Sequence, residues 1–146
     1  MFETFHTPGF YVGVQCILAT YSSGRTTAVT LDIGEGVSQV VPIYDGSILT
    51  HAAQRIHLAG QDVTDYLSRL LKENTSYFID AEKATVEDIK VKHSYAALNY
   101  EEQMKAIRSQ TKQKEAYTLP DGEMIALGDE TFRCTECLFQ PSLAGK

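Results

Sequence analysis

The residues of this chain best suited to chemistry stand together in Asp32-Ile33-Gly34-Glu35-Gly36-Val37-Ser38-Gln39, directly after the apolar run of Ala28, Val29 and Leu31. A carboxylate at the end of a buried strand, followed at once by Gly-x-Gly, points to backbone that another group approaches closely. Glycine lacks the Cβ that would block approach, and it permits positive φ. The group such a loop can hold is a phosphate. The N–H groups of Gly34, Glu35, Gly36 and Val37 would form a nest of donors. Asp32 would face, through waters, the Mg2+ that accompanies a nucleotide, because Mg2+ dehydrates reluctantly and commonly takes only one or two carboxylates. No Gly-Lys-Ser or Gly-Lys-Thr follows, so the loop is not a Walker A motif. Taken alone, the glycine spacing more often marks a plain β-turn.

Other reactive side chains are less organised. Cys134 and Cys137 form a C-x-x-C, but no second pair follows and the histidines lie far upstream, so two ordinary, semi-buried, reduced thiols are expected. His51, His57 and His93 sit among no paired ligands and are read as structural. Arg55 is given no chemistry.

The elements that must position the loop follow from periodicity. Residues 10–14 read as a short strand, and 15–23 as a short helix ended by Gly24. Two β-branched runs, 26–31 and 37–44, make a hairpin whose loop is 32–36. Asp45-Gly46 marks a further turn, and a third strand is expected near 55–58. From Gly60 the period becomes helical, with Val63, Tyr66, Leu67, Leu70 and Leu71 as a core stripe and Asp62 complementing the helix dipole. A second helix is expected over 82–94, capped near Asp80 or Ala81, with Val86, Ile89 and His93 on one side. A third starts after Asn99, with Glu102 completing a capping-box pattern and Met104 and Ile107 buried. Leu119-Pro120-Asp121-Gly122 turns between strands 115–119 and 124–127, and 129–133 reads as a single helical turn. The chain thus divides near residue 58 into a sheet with a glycine loop and a small helical body with a late hairpin. Gly60 at the junction would let backbone approach a ligand.

Composition narrows the classes. The chain has 146 residues, 43% of them hydrophobic, and a net charge of −6. No basic block offsets the acidic surplus, which argues against direct partnership with nucleic acid or an anionic membrane. The basic residues of 105–114 are diluted by Gln and Ser and read as a solvated helix end and loop. No stretch approaches the roughly 18 apolar residues of a membrane span and no cationic leader opens the chain, so cytosol or nucleus is the expected compartment.

The strings TYSSGRTTAVTLDIGEGVSQVVPIYDG, HLAGQDVTDYL, LPDGE and FRCTECLFQPS, in this order and at these separations, resemble the actin family across the whole chain, with a small length change near 74–81. The resemblance implies part of an actin-like ATPase (ribonuclease H-like) α/β fold of two lobes, with ATP and Mg2+ in the cleft between them. Residues 1–58 resemble the crossover helix and part of the inner subdomain with the second phosphate hairpin, and 59–146 its small outer subdomain. The family's other phosphate hairpin would lie upstream, so a fragment or truncated form of a longer chain, binding ATP weakly or not at all by itself, is expected.

The same resemblance gives Gln15 the role of positioning the attacking water, and places Gln39 where the family usually carries a histidine near that water. Asp32, Gly34, Glu35, Gly36 and Val37 are implied at the phosphates and metal, and Gly60 and Lys90 at the nucleoside. Lys90 could equally be an exposed helix lysine. Glu35 stands for an aspartate, Ile33 for a serine, and Val91 for a glutamate that accepts from the nucleoside. These changes suggest a divergent member with impaired hydrolysis. Implied partners are further copies or other actin-family subunits and actin-binding proteins, in the cytoplasmic cytoskeleton, with surfaces near 118–124 and 75–84. The competing expectation is a non-polymerising actin-related scaffold subunit of a nuclear or motor-associated complex.

Overall fold

The computed structural model of the chain describes residues 1–74, 83–109 and 115–146. They form two compact units, Met1–His57 and Leu58–Lys146.

The first unit is built on an antiparallel hairpin of β1 (Ala28–Ile33) and β2 (Ser38–Tyr44), in register from Ala28 opposite Ile43 to Ile33 opposite Ser38. Two short strands, β3 (Ser47–Ile48) and β4 (Gln54–Ile56), also pair with β2. The turn into β3 has Asp45 at φ 46° and Gly46 at φ 72°, positive at both central positions as a tight two-residue hairpin requires. After α1 (Phe2–Phe5), α2 (Gln15–Ser22) lays Cys16 and Ile17 on Val41, Ile43 and Ile48. It stops at Gly24, whose φ of +72° suits a residue without Cβ and whose N–H donates to the Tyr21 carbonyl at 2.9 Å.

Three expectations change here. Residues 10–14 form no strand: they find no β partner among the described residues, and Phe10, Tyr11, Val12 and Val14 are exposed. The first hairpin strand covers 28–33 rather than 26–31 and the second starts at 38 rather than 37, so Asp32 lies within β1 and the loop is 34–37. Nor is β1 buried on both faces. Ala28, Thr30 and Asp32 are half-buried, whereas Val29 and Leu31 are 69% and 66% exposed, because α2 covers one face of the sheet only.

The second unit has the larger core. The amphipathic α3 (Gly60–Asn74) buries Val63, Tyr66, Leu67, Leu70 and Leu71 against Val86 and Ile89 of α4 (Lys83–His93) and against Tyr117, Ile125 and Leu127. Those last three lie on a hairpin of β5 (Glu115–Thr118) and β6 (Met124–Leu127), turned at Gly122 with φ +90°. The start of α3 is fixed by Asp62, which accepts from the Ala59 N–H at 3.0 Å, the backward half of a capping box, and pairs with Lys146 at 3.1 Å. Helix α5 (Tyr100–Arg108) is capped by Asn99, which accepts from Glu102 N–H at 3.3 Å, yet Met104 and Ile107 are only half-buried. The expected single turn at 129–133 is a full helix, α6 (Glu130–Glu136), carrying the buried Phe132 and Cys134. The caps proposed at Asp80 and Ala81, the helix start at Glu82 and the basic residues 110–114 lie outside the described residues, as does most of the surface at 75–84. No helix among the described residues is long and apolar enough to cross a membrane.

Candidate functional site

The register of the first hairpin brings two of the sequence-predicted residues together. Asp32 on β1 stands opposite Gln39 on β2, and Gln39 Nε2 donates to Asp32 Oδ2 at 3.4 Å. A carboxylate only accepts, so the amide NH2 must face Asp32, and this leaves Gln39 Oε1 as an outward acceptor. On its other side Gln39 is opposite Arg55 of β4. Carboxylate, amide and guanidinium side chains therefore line up across three strands on one face. The strand expected near 55–58 lies at 54–56, and its register against β2, which puts Arg55 in that line, was not readable from the sequence.

Beyond the pair, the loop closes on itself through Gly34 N–H donating to the Val37 carbonyl at 3.0 Å. That corrects the expected donor set, since Gly34 cannot lend the same N–H to a phosphate. The N–H groups of Gly36 and Val37 donate to nothing among the described residues. The expected use of positive φ is also corrected: neither Gly34 nor Gly36 has it. An added Cβ at Gly36 would meet nothing within 4 Å, and at Gly34 only the Val37 oxygen at 3.4 Å. Backbone geometry and internal packing therefore do not demand glycine at 36. What remains is access to the exposed backbone from outside.

Helix α2 aims its first residue at this end of the sheet. Its C-terminal Tyr21 lies over the β2–β3 turn, where a Cβ on Gly46 would stand 2.6 Å from the Tyr21 hydroxyl. Cys16 packs on Val41 and Ile43, so the helix N-terminus is directed toward the Gln39 end of β2. Gln15 is exposed there and makes no hydrogen bond to Asp32 or Gln39. The side chain of Glu35 is exposed at the loop tip, and Ile33 leaves an apolar side chain in solvent beside it.

In the second unit, Gly60 and Lys90 are also brought together. Lys90 Nζ donates to the Gly60 carbonyl at 3.2 Å and to Thr64 Oγ1 at 2.7 Å. The Thr64 hydroxyl itself donates to the Gly60 carbonyl at 3.1 Å. Lys90 is thus no free helix lysine but a half-buried cation fastened to the first turn of α3, a link between α4 and α3 that spacing alone does not reveal. Val91 beside it is exposed and offers no acceptor.

The remaining titratable groups of this unit serve packing. Tyr117 donates to Asp88 Oδ2 at 2.7 Å, and Lys92 pairs with the same oxygen at 2.7 Å. Hydrogen bonds from Lys92 and Tyr117 hold the Asp88 carboxyl below the usual range, and the bond to Asp88 pushes the Tyr117 phenol up. His93 Nδ1 lies 2.8 Å from Glu115 Oε2 and its ring meets Tyr117 edge-on. Cys134 and Cys137 are fully rather than partly buried free thiols. Burial raises both, Cys137 to about 11, which opposes thiolate chemistry. No group of three or more metal-ligating side chains occurs among the described residues.

The helices and antiparallel sheets, with a glycine-bearing hairpin, are consistent with part of an actin-like α/β fold. A model of the actin family matches residues 1–146, every residue of the chain, and the chain belongs to that family.

Proposed function

We propose that this is a nucleotide-binding member of the actin family, in which the β1–β2 loop receives the phosphates of Mg-ATP and Gly60 and Lys90 serve the nucleoside. The observation that carries the reading is Gly36, a glycine that the chain's own backbone and packing do not require, one residue from a Val37 N–H that has no partner among the described residues and close to the Asp32–Gln39 pair. These residues fit a metal-bound triphosphate. The Gly36 and Val37 N–H groups can donate to phosphate oxygens, Glu35 borders them, and Asp32 keeps Oδ1 to accept from the waters of Mg2+. Bound Mg2+ would supply neutralisation of phosphate charge.

Gln15 and Gln39 are the residues for water. With its NH2 on Asp32, Gln39 presents Oε1 to accept from an attacking water and can orient it, as a glutamine does in small GTPases. An amide does not titrate, so it cannot take the proton, a deficit of about 10²–10⁴-fold where a general base is the alternative. Slow hydrolysis of the bound triphosphate follows. Nucleotide state would then bias assembly with further actin-family subunits in the cytoplasmic cytoskeleton. The β5–β6 turn, where Met124 is exposed, would be one contact surface, also open to actin-binding proteins. The engaged Gln39 and the apolar Val91 favour a second reading, a non-polymerising scaffold subunit that keeps its nucleotide as structure, in cytoplasm or nucleus. Sedimentation with Mg-ATP separates them: a nucleotide-dependent pellet supports assembly, and an unchanged supernatant supports the scaffold. For the site itself, Gly36→Ala is expected to leave folding intact and weaken Mg-ATP binding at least tenfold. Equal affinity in the two proteins would remove the loop from the site.

A further inference from the structure

The triangle formed by Thr64, Gly60 and Lys90 has determined directions. An ammonium only donates, a carbonyl only accepts, and a hydroxyl between them must do both. Thr64 Oγ1 therefore gives its proton to the Gly60 carbonyl at 3.1 Å and receives one from Lys90 Nζ at 2.7 Å, while Lys90 also reaches that carbonyl at 3.2 Å. Thr64 is 1% exposed, so water cannot take over its role. Lys90 carries a long, rotamer-rich stem that is costly to hold in one place, and its ammonium donates to the Thr64 hydroxyl at 2.7 Å, closer than the 3.2 Å to the Gly60 carbonyl.

We infer that Thr64 is a positioning residue for the nucleoside end of the site, acting through Lys90. The inference rests on the nucleotide reading above. Thr64 does not touch the ligand. It fixes the Lys90 ammonium on the first turn of α3, so that Gly60 and the Lys90 stem keep one arrangement. Charged hydrogen bonds of this kind are the strong ones, and losing one costs on the order of tenfold or more in an equilibrium constant.

The test compares the whole chain with Thr64→Val, which removes the hydroxyl at nearly constant volume, and Thr64→Ser, which keeps it. Mg-ATP and Mg-tripolyphosphate, which lacks a nucleoside, are titrated into each and followed by NMR. Thr64→Val should bind Mg-ATP about tenfold more weakly, with tripolyphosphate binding unchanged, and should lose the slowly exchanging Lys90 ammonium signal. Thr64→Ser should match the parent in all three. Lys90→Met should repeat the Mg-ATP loss, and the double variant should add nothing to it, which keeps the test valid if Thr64→Val folds poorly. Parental Mg-ATP affinity in Thr64→Val overturns the inference, and so does an equal loss for both ligands, which would mark a role in folding alone. A parent chain that shows no Mg-ATP response overturns the nucleotide reading itself, and the inference with it.

Discussion

The two units solve the problem of a small core differently. In the second, α3 and α4 close with the β5–β6 hairpin over Leu67, Leu70, Leu71, Val86, Ile89 and Leu127, none of them more than 1% exposed. In the first, Cys16, Val41 and Ile43 form a thin cluster under α2, while Val29, Leu31 and Ile33 project from the other face of β1. The unit with the β1–β2 loop is thus the weakly buried one. The helical unit carries stability and holds Lys90 in place. Burial decides stability roughly in proportion to apolar area, so cooperative resistance to unfolding belongs to the second unit and early opening to the first.

The largest effect that could break this contrast is a core truncation. Leu67→Ala is expected to destabilise the second unit by about 2–5 kcal/mol, whereas Leu31→Ser on the exposed face should change stability by no more than about 0.5 kcal/mol. Denaturant unfolding with a probe in each unit measures both, and similar losses at the two sites would erase the distinction.

Thiol chemistry sharpens it next. Cys16 should be alkylated before Cys134 and Cys137 when the native protein is treated with iodoacetamide, because opening the thin core exposes it first, while the other two are fully buried and Cys137 is raised to about 11. Peptide mass mapping over time reads the order. Simultaneous labelling of all three would place them in one cooperative unit.

The smallest effect is electrostatic. Lys92 and Tyr117 hold Asp88 below its usual range, so the contribution is present above the unfolded carboxyl value near about 4 and is lost as pH falls through the lower folded value. Tyr117 is raised by the same bond. Its contribution is present below about 10 and is lost as pH rises through the folded value. Asp88→Asn should therefore flatten the stability profile at both extremes. The effect should be modest, because the Lys92–Asp88 pair is well exposed. An unchanged acid limb would show that the pair contributes nothing.

Sequence reasoning succeeded where period and turn chemistry agree. The stripe of Val63, Tyr66, Leu67, Leu70 and Leu71 could only be one face of a helix, and Asp45-Gly46 and Pro120-Asp121-Gly122 could hardly be anything but turns. It failed where the answer lies in pairing. Residues 10–14 have β-prone side chains and no strand neighbour among the described residues, and β3, two residues long, carries no pattern at all. At the candidate site the residue types were readable, but their geometry was not. A first strand that ends two residues later than expected turns Asp32 from a loop residue into the cross-strand partner of Gln39. The Lys90–Thr64 bond spans 26 positions, a tertiary contact that no local spacing encodes.

In the proposed function the Gly36 and Val37 amides receive phosphate. Amide-resolved NMR of the whole chain during titration with Mg-ATP tests it most directly. The Gly36 and Val37 amide signals should move progressively, Gly34 should move less because its N–H is already given to the Val37 carbonyl, and the Gly36→Ala variant should lose the response. Signals at Gly36 and Val37 that stay fixed while others in the chain shift would contradict it.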